Sequence, residues 1–293
     1  MAAGSEATAA IVQFPHPGDE HVAGGDVMGW NTRPYHRRKF LVTDGRYVED
    51  IDDTPMPAQL VFWGEWEPQS RIVERWPRRT EHPTVLHAPY WAPPTFDGMR
   101  QNTDPWVFGD SFLYSNCKQH TNNTPNRQPS ALQSLPAGSI ILFGSARYGG
   151  FVIDTVFVVR DKLGTFRPFD DTSHLQVDAA FDTCTLQPLT TYEPHIGAST
   201  YSLYRGATVD EPVHGMFSFV PSRVLGDPDM RFARPAVHLP GVVNPASKQS
   251  PSGGTLRDRR PIADVVAAWH RVVDQVRSAG LHLGVHLSTP LRQ

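Results

Sequence analysis

Two cysteines in 293 residues, Cys117 and Cys184, are too few for a disulfide scaffold, and such scarcity points to a reducing compartment. No apolar run approaches the roughly 20 residues that a membrane-spanning helix needs, so no membrane partner is expected. The opening MAAGSEATAA carries neither a basic nor an apolar stretch, and no secretory leader is read there. These absences give the expectation of a soluble cytoplasmic protein. A basic excess is missing too: 27 Lys and Arg against 30 Asp and Glu leave a net charge of -3. That excludes a generally basic nucleic-acid coat while leaving room for a local basic groove. Internal repeats, low-complexity tracts and coiled-coil heptads are also lacking.

What is present is 39% apolar residues, 27 Pro and 23 Gly, which favours a globular chain of short elements and many loops. The clearest strand signal is Pro136 to Arg160. It reads as a hairpin, with an apolar run Ile140 to Phe143, a Gly-rich turn Gly144 to Gly150, and a second run Phe151 to Val159. The one convincing helix is Pro261 to Ala279, with Ile262, Val265, Val266, Trp269, Val272, Val273 and Val276 at helical spacing and Gly280 placed to end it. After it, LHLGVHLS alternates as a half-buried strand, with His282 and His286 on its wet face.

Three stretches carry side chains with chemistry. The loop FPHPGDEH packs His16, Asp19, Glu20 and His21 into six positions after the short strand Ile11 to Phe14. The run YHRRK sets His36, Arg37, Arg38 and Lys39 before an apolar Phe40-Leu41-Val42 and a turn at Asp44-Gly45. Such a run is ordinarily a solvated face, and beside Trp30 and Tyr35 it also suits phosphate. The third stretch, LVFWGEWEPQS from Leu60 to Ser70, reads as a strand stopped by Gly64. In extended chain, residues two apart face the same way, so Glu65 and Glu67 share a face and Trp66 takes the other. Carboxylates that close push one pKa up, which suits acid–base work. Trp63 and Trp66 flank them, and Ser70 and Arg71 follow. His82 to Pro105, with Tyr90, Trp91 and Phe96, reads as a long loop of the kind that often binds ligands.

Two resemblances bear on these residues. His16-Pro-Gly-Asp-Glu after a strand is similar to the opening motif of PIG-L-type N-acetylglucosaminyl deacetylases, which would make His16 and Asp19 zinc ligands. Gly18 stands where that family has its base, and neither its βα alternation nor its later His-rich motif is present, so the motif is set aside. Arg37 to Arg160 resembles the barrel of PUA-like domains of the ASCH and EVE types in its order of strands and Gly-rich turn. That resemblance implies an RNA or modified-nucleobase cleft, walled by FWGEWEP and Tyr90-Trp91, with His36 to Lys39, Arg75, Arg78 and Arg79 on phosphates.

The expected architecture is α+β and strand-dominated: a PUA-like barrel or strongly bent antiparallel sheet with few helices and an amphipathic C-terminal helix. Residues 11–165 form the barrel-like region, and residues 166–293 form a mixed part packed on it as one unit. Two functions follow. One is recognition of a nucleic acid or nucleotide, binding or modifying a base in an aromatic and acidic pocket, with Trp63, Trp66, Ser70, Tyr90 and Trp91 as contacts and His36 to Lys39 on phosphate. The other is a hydrolytic or transferase enzyme, metal-dependent in one version, that uses His16, Glu20 and His21 with Glu65 and Glu67. The sequence names no cofactor and no oligomeric state.

Overall fold

Neighbouring residues of the apolar runs point into two different cores. Leu60 and Phe62, Ile141 and Phe143, and Phe157 and Val159 pack into one, while Val61 and Trp63, Ile140 and Leu142, and Val156 and Val158 pack into the other. Strands buried on both faces read as continuous rather than alternating hydrophobic runs, which is why these segments lack a period of two in sequence. The computed structural model describes residues 7–32, 36–93, 98–121, 128–191, 199–248 and 259–293. Tyr35 and Phe96 lie outside the described residues.

In chain order the strands are β1 (Thr8–Ala9), β2 (Ile11–Pro15), β3 (Val27–Met28), β4 (Arg38–Val48), β5 (Met56–Glu65), β6 (Ser70–Arg75), β7 (Val85–Trp91) and β8 (Leu113–Tyr114). They continue with β9 (Ile140–Arg147), β10 (Gly150–Phe166), β11 (Tyr201–Gly206), β12 (Val220–Val224), β13 (Arg260–Pro261), β14 (His282–Leu287) and β15 (Leu291–Arg292). One sheet runs β2-β9-β10-β11-β8, and a larger one runs β14-β12-β5-β4-β7-β6-β3. β14 pairs with β4 as well as β12, so β4, β5, β12 and β14 close into a four-stranded barrel. β4 makes this possible by its length. Its first half lies beside β7 through Phe40 and Leu41, and its second half lies beside β14 through Gly45 to Val48. The strand-dominated class is therefore as expected. The barrel is not confined to residues 11–165, because two of its four strands come from the C-terminal part.

The helix forms over Ile262–Ser278. Val265, Trp269, Val272, Val273 and Val276 are buried, and Trp269 Nε1 donates to the Phe217 carbonyl at 3.1 Å. Gly280 ends it with φ +73, as its position suggested.

Three glycines read as strand breaks lie inside strands instead. β4 runs through Gly45, β5 through Gly64 and β9 through Gly144. A Cβ on Gly45 would meet the His286 carbonyl at 2.4 Å, and one on Gly144 would meet the Val152 carbonyl at 2.1 Å. These glycines permit close approach of neighbouring backbone rather than a turn. The true turn of the central hairpin is Tyr148-Gly149, both at positive φ, between paired Arg147 and Gly150. The segment expected to be a long loop over Tyr90 and Trp91 contains β7, whose Val85, Leu86 and His87 are buried. No helix among the described residues is long and apolar enough to cross a membrane.

Candidate functional site

Arg38 opens β4 directly opposite Glu65, the last residue of β5. Cross-strand partners of this kind hold their side chains against each other. Arg38 Nη1 donates to Glu65 Oε2 at 2.6 Å, and Arg38 Nε donates to Asp154 Oδ2 at 2.6 Å. Asp154 reaches Arg38 because the β9–β10 register slips between Ile153 and Thr155, leaving it as the extra residue of a bulge. Arg38 is fully buried, and the two carboxylates that flank it raise its pKa against the opposing effect of burial.

His16 follows the end of β2. Its amide donates to the Gly144 carbonyl at 2.6 Å, which carries the β2–β9 pairing one residue further. Its Nδ1 then stands 2.9 Å from Glu65 Oε2. The other Glu65 oxygen, Oε1, is 3.0 Å from His36 Nδ1, and the same nitrogen is 3.1 Å from Glu67 Oε1. The outer Glu67 oxygen accepts from the Asn31 amide, and the Glu67 backbone N–H donates to Thr103 Oγ1 at 3.0 Å. The N-terminal loop and the Glu65 loop thus meet, and Glu65 and Glu67 do share one face.

The electrostatics separate the two imidazoles. Burial lowers His16 to about 3, so it is neutral. Burial also opposes charge on His36, but Glu65 and Glu67 outweigh it and raise that ring to about 10. Burial alone would raise Glu65; His36, His16 and Arg38 together hold it well below the usual carboxylate range. The upward push expected on one of the two paired acids is thus outweighed at Glu65 by these three partners. Nearby Asp104 goes the other way. Burial lifts it to about 6, although the amides of Ser115, Asn116 and Cys117 all donate to it.

A cavity of about 660 Å³ opens beyond the far end of this charged chain. Asp154 lies 3.8 Å from Arg234 Nη1, and Arg234 lines the cavity together with Trp63, Trp76, Arg78, Arg79, Arg147 and Tyr148. The Arg234 guanidinium sits 5.3 Å from the centre of the Trp63 ring and donates to Ser145 Oγ and the Gly18 carbonyl. Arg147 lies over Tyr148, and Arg231 lies over Trp76. Of the acids on the wall, Asp19 pairs with Arg147 at 2.6 Å, and the Glu20 carboxylate accepts from the Thr84 and Val85 amides.

Several expected site residues lie elsewhere. Glu20 ties the loop to Thr84, and His21 accepts at its carbonyl from His87, so neither joins His16. Arg38 and Lys39 are fully buried and cannot meet phosphate; Lys39 Nζ donates to the Pro68 carbonyl at 2.9 Å. Arg37 is half-buried beside them. Trp66 has no exposed surface and packs on Trp106 and Phe108, so it is core and not a pocket wall. Trp91 is buried under Arg292, and Tyr90 is half-buried on β7 beside β15. Arg75 is spent on the Ala23 and Gly25 carbonyls. Sequence reasoning missed Asp154, Arg234, Arg147, Tyr148 and Asn31. The one visible signal was Asp154, a lone acid in the apolar run FVIDTVFVV.

Ser70 belongs to a separate buried pair. Its Oγ is 3.0 Å from His87 Nδ1, and His87 Nε2 is 3.2 Å from the His21 carbonyl. The carbonyl requires a proton on Nε2, so Nδ1 accepts from the Ser70 hydroxyl. Burial lowers His87 to about 3. In the unfolded chain the ring protonates near pH 6.5, so unfolding takes up a proton between these values. The stability due to neutral His87 is present above about pH 6.5 and is lost as the pH falls toward 3. We expect His87→Gln to flatten the pH dependence of the unfolding free energy by about 1 kcal/mol per pH unit across this range. Urea titrations at several pH values measure it, and parallel curves for variant and parent would refute the assignment.

Comparison of the chain with family models, curated proteins and solved structures finds no match.

Proposed function

We propose that the protein recognises a nucleotide unit, free or at an accessible position in a nucleic acid, in the cavity between the Gly18 loop, Trp76 to Thr84 and the tip of the β9–β10 hairpin. The observation that carries this reading is the combination of arginines and aromatic rings on one wall. Arg78 and Arg79 are exposed, and Tyr148, 55% exposed, offers a ring at the hairpin turn. Guanidinium groups pair with phosphate oxygens in a fork, and aromatic or guanidinium planes stack on bases. A volume of about 660 Å³ suits one small ligand better than a long strand. The residues differ from those read from sequence: Trp63, Arg78 and Arg79 remain, while the Glu65-Trp66-Glu67 pocket gives way to the arginine-lined wall.

The test is fluorescence anisotropy with labelled mononucleotides and single- and double-stranded oligonucleotides, titrated from low to moderate salt. Binding is expected to weaken about tenfold or more in Arg78→Ala/Arg79→Ala, and the salt slope is expected to drop by about two. Tyr148→Ala is expected to weaken binding without changing that slope, as loss of a stacked ring should. No binding at low salt, or binding untouched by the arginine pair, would remove this reading.

A further inference from the structure

Glu65 and Glu67 divide the work of their oxygens in the same way. The outer oxygen of each is held by the protein: Glu65 Oε2 by Arg38 and His16, and Glu67 Oε2 by the Asn31 amide. The inner oxygens, Glu65 Oε1 and Glu67 Oε1, both turn toward a single ring nitrogen, His36 Nδ1, at 3.0 and 3.1 Å. All three atoms lie within 4.8 Å of one another. One imidazole nitrogen carries at most one hydrogen, so it can donate fully to only one of the two oxygens. When it donates to Glu65 Oε1, Glu67 Oε1 is left facing a ring nitrogen in a buried place, where an unmatched carboxylate oxygen is costly; when it donates to Glu67 Oε1, Glu65 Oε1 keeps only a long contact from the Asp104 amide, at 3.4 Å.

We propose that His36, Glu65 and Glu67 bind one divalent transition-metal ion, and that this ion is what the two inner oxygens and Nδ1 converge to meet. An ion entering between them displaces the Nδ1 proton to solvent and accepts a lone pair from all three atoms at once. Cis donors at about 2.1 Å from an ion stand about 3 Å apart, which is the spacing of His36 Nδ1 from each of the two oxygens. One imidazole and two carboxylates suit Zn²⁺, Mn²⁺, Fe²⁺ or Co²⁺, whereas Ca²⁺ takes six to eight oxygens. Arg38, His16 and Asn31 would then fix the carboxylates from behind, as outer partners of metal ligands do. The carboxylates are 1% and 0% exposed, but the His36 side chain is 21% exposed, so the ion would enter past His36 and keep open positions on that side. An ion with open positions polarises a bound water or a ligand oxygen. This site shares no ligand with the arginine-lined cavity, and either assignment stands if the other fails.

The experiment is titration of the chelator-treated full-length protein with Zn²⁺, Mn²⁺ and Co²⁺, followed by calorimetry and, for Co²⁺, by visible absorption and proton NMR. One ion per chain is expected. His36→Gln and Glu67→Gln, chosen to keep side-chain volume, are each expected to weaken binding at least about 100-fold. His174→Gln, at an exposed histidine, is expected to leave binding unchanged. In the unaltered protein Co²⁺ is expected to shift the ring resonances of His36. No uptake of any of the three ions, parental affinity in both His36→Gln and Glu67→Gln, or a paramagnetic shift confined to other histidines would each overturn the proposal.

Discussion

Arg38→Met is expected to destabilise the protein by about 3–5 kcal/mol, the usual consequence of removing one partner from a buried set of charges. In a chain of this size that corresponds to a fall of roughly 10 °C in thermal midpoint. The reason is electrostatic. Glu65 and Asp154 are nearly inaccessible to water, and each makes its shortest ion pair, 2.6 Å, with the same guanidinium. Methionine fills much of the space but leaves two carboxylates facing each other without it. Arg38→Lys is expected to recover only part of the loss, because a single ammonium cannot serve two carboxylates with the geometry of Nε and Nη1. Thermal unfolding followed by near-UV circular dichroism measures both variants. A midpoint within 2 °C of the parent for Arg38→Met would mean that solvent reaches this chain of charges.

Truncating Trp66 is expected to be as damaging for an unrelated reason. Its ring lies edge-on to Phe108 at 5.2 Å and tilted to Trp106 at 5.8 Å, and its Nε1 donates to the Gln69 carbonyl at 2.8 Å. Trp66→Ala removes one of the two indole rings of that cluster and leaves a cavity, with an expected loss of about 3–5 kcal/mol. Trp66→Phe keeps most of the apolar volume and is expected to lose about 1–2 kcal/mol, including the hydrogen bond. Urea unfolding distinguishes the two. Under the proposed nucleotide reading, any affinity measured for the parent is expected to be unchanged in Trp66→Phe; a large loss there would return Trp66 to the ligand.

The period-two argument at Glu65 and Glu67 was sound because it depends only on extended backbone, and it located half of the buried centre. It also put Trp66 opposite the acids, correctly, but the sequence does not say which side is water. A tryptophan beside two acids looks like a binding ring until Trp106 and Phe108, some forty residues on, are known to lie against it. Arg38 and Lys39 misled for the same reason. A basic run is usually solvated, and only the distant Asp154 and the Pro68 carbonyl explain its burial. Gly45, Gly64 and Gly144 show a different limit. A glycine that permits a turn and one that permits close contact with a neighbouring strand have the same letter, and the partner that decides between them lies far away in the chain. The C-terminal helix was legible to within a residue at each end because its signals, periodicity and a terminal glycine, are local.

The closure of the barrel by β14 also bears on the order of events during synthesis. β4 and β5 leave the ribosome well before β14 and can pair as a hairpin at once, but the second half of β4 has no partner on its other side until His282–Leu287 has been made. β2 likewise waits for β9, and β1 for β13. Until those later strands are made the nascent chain therefore carries open strand edges of the kind that pair with other chains. Such a chain has reason to need a chaperone while it is being made, even though the finished barrel leaves β4 no free edge along that half.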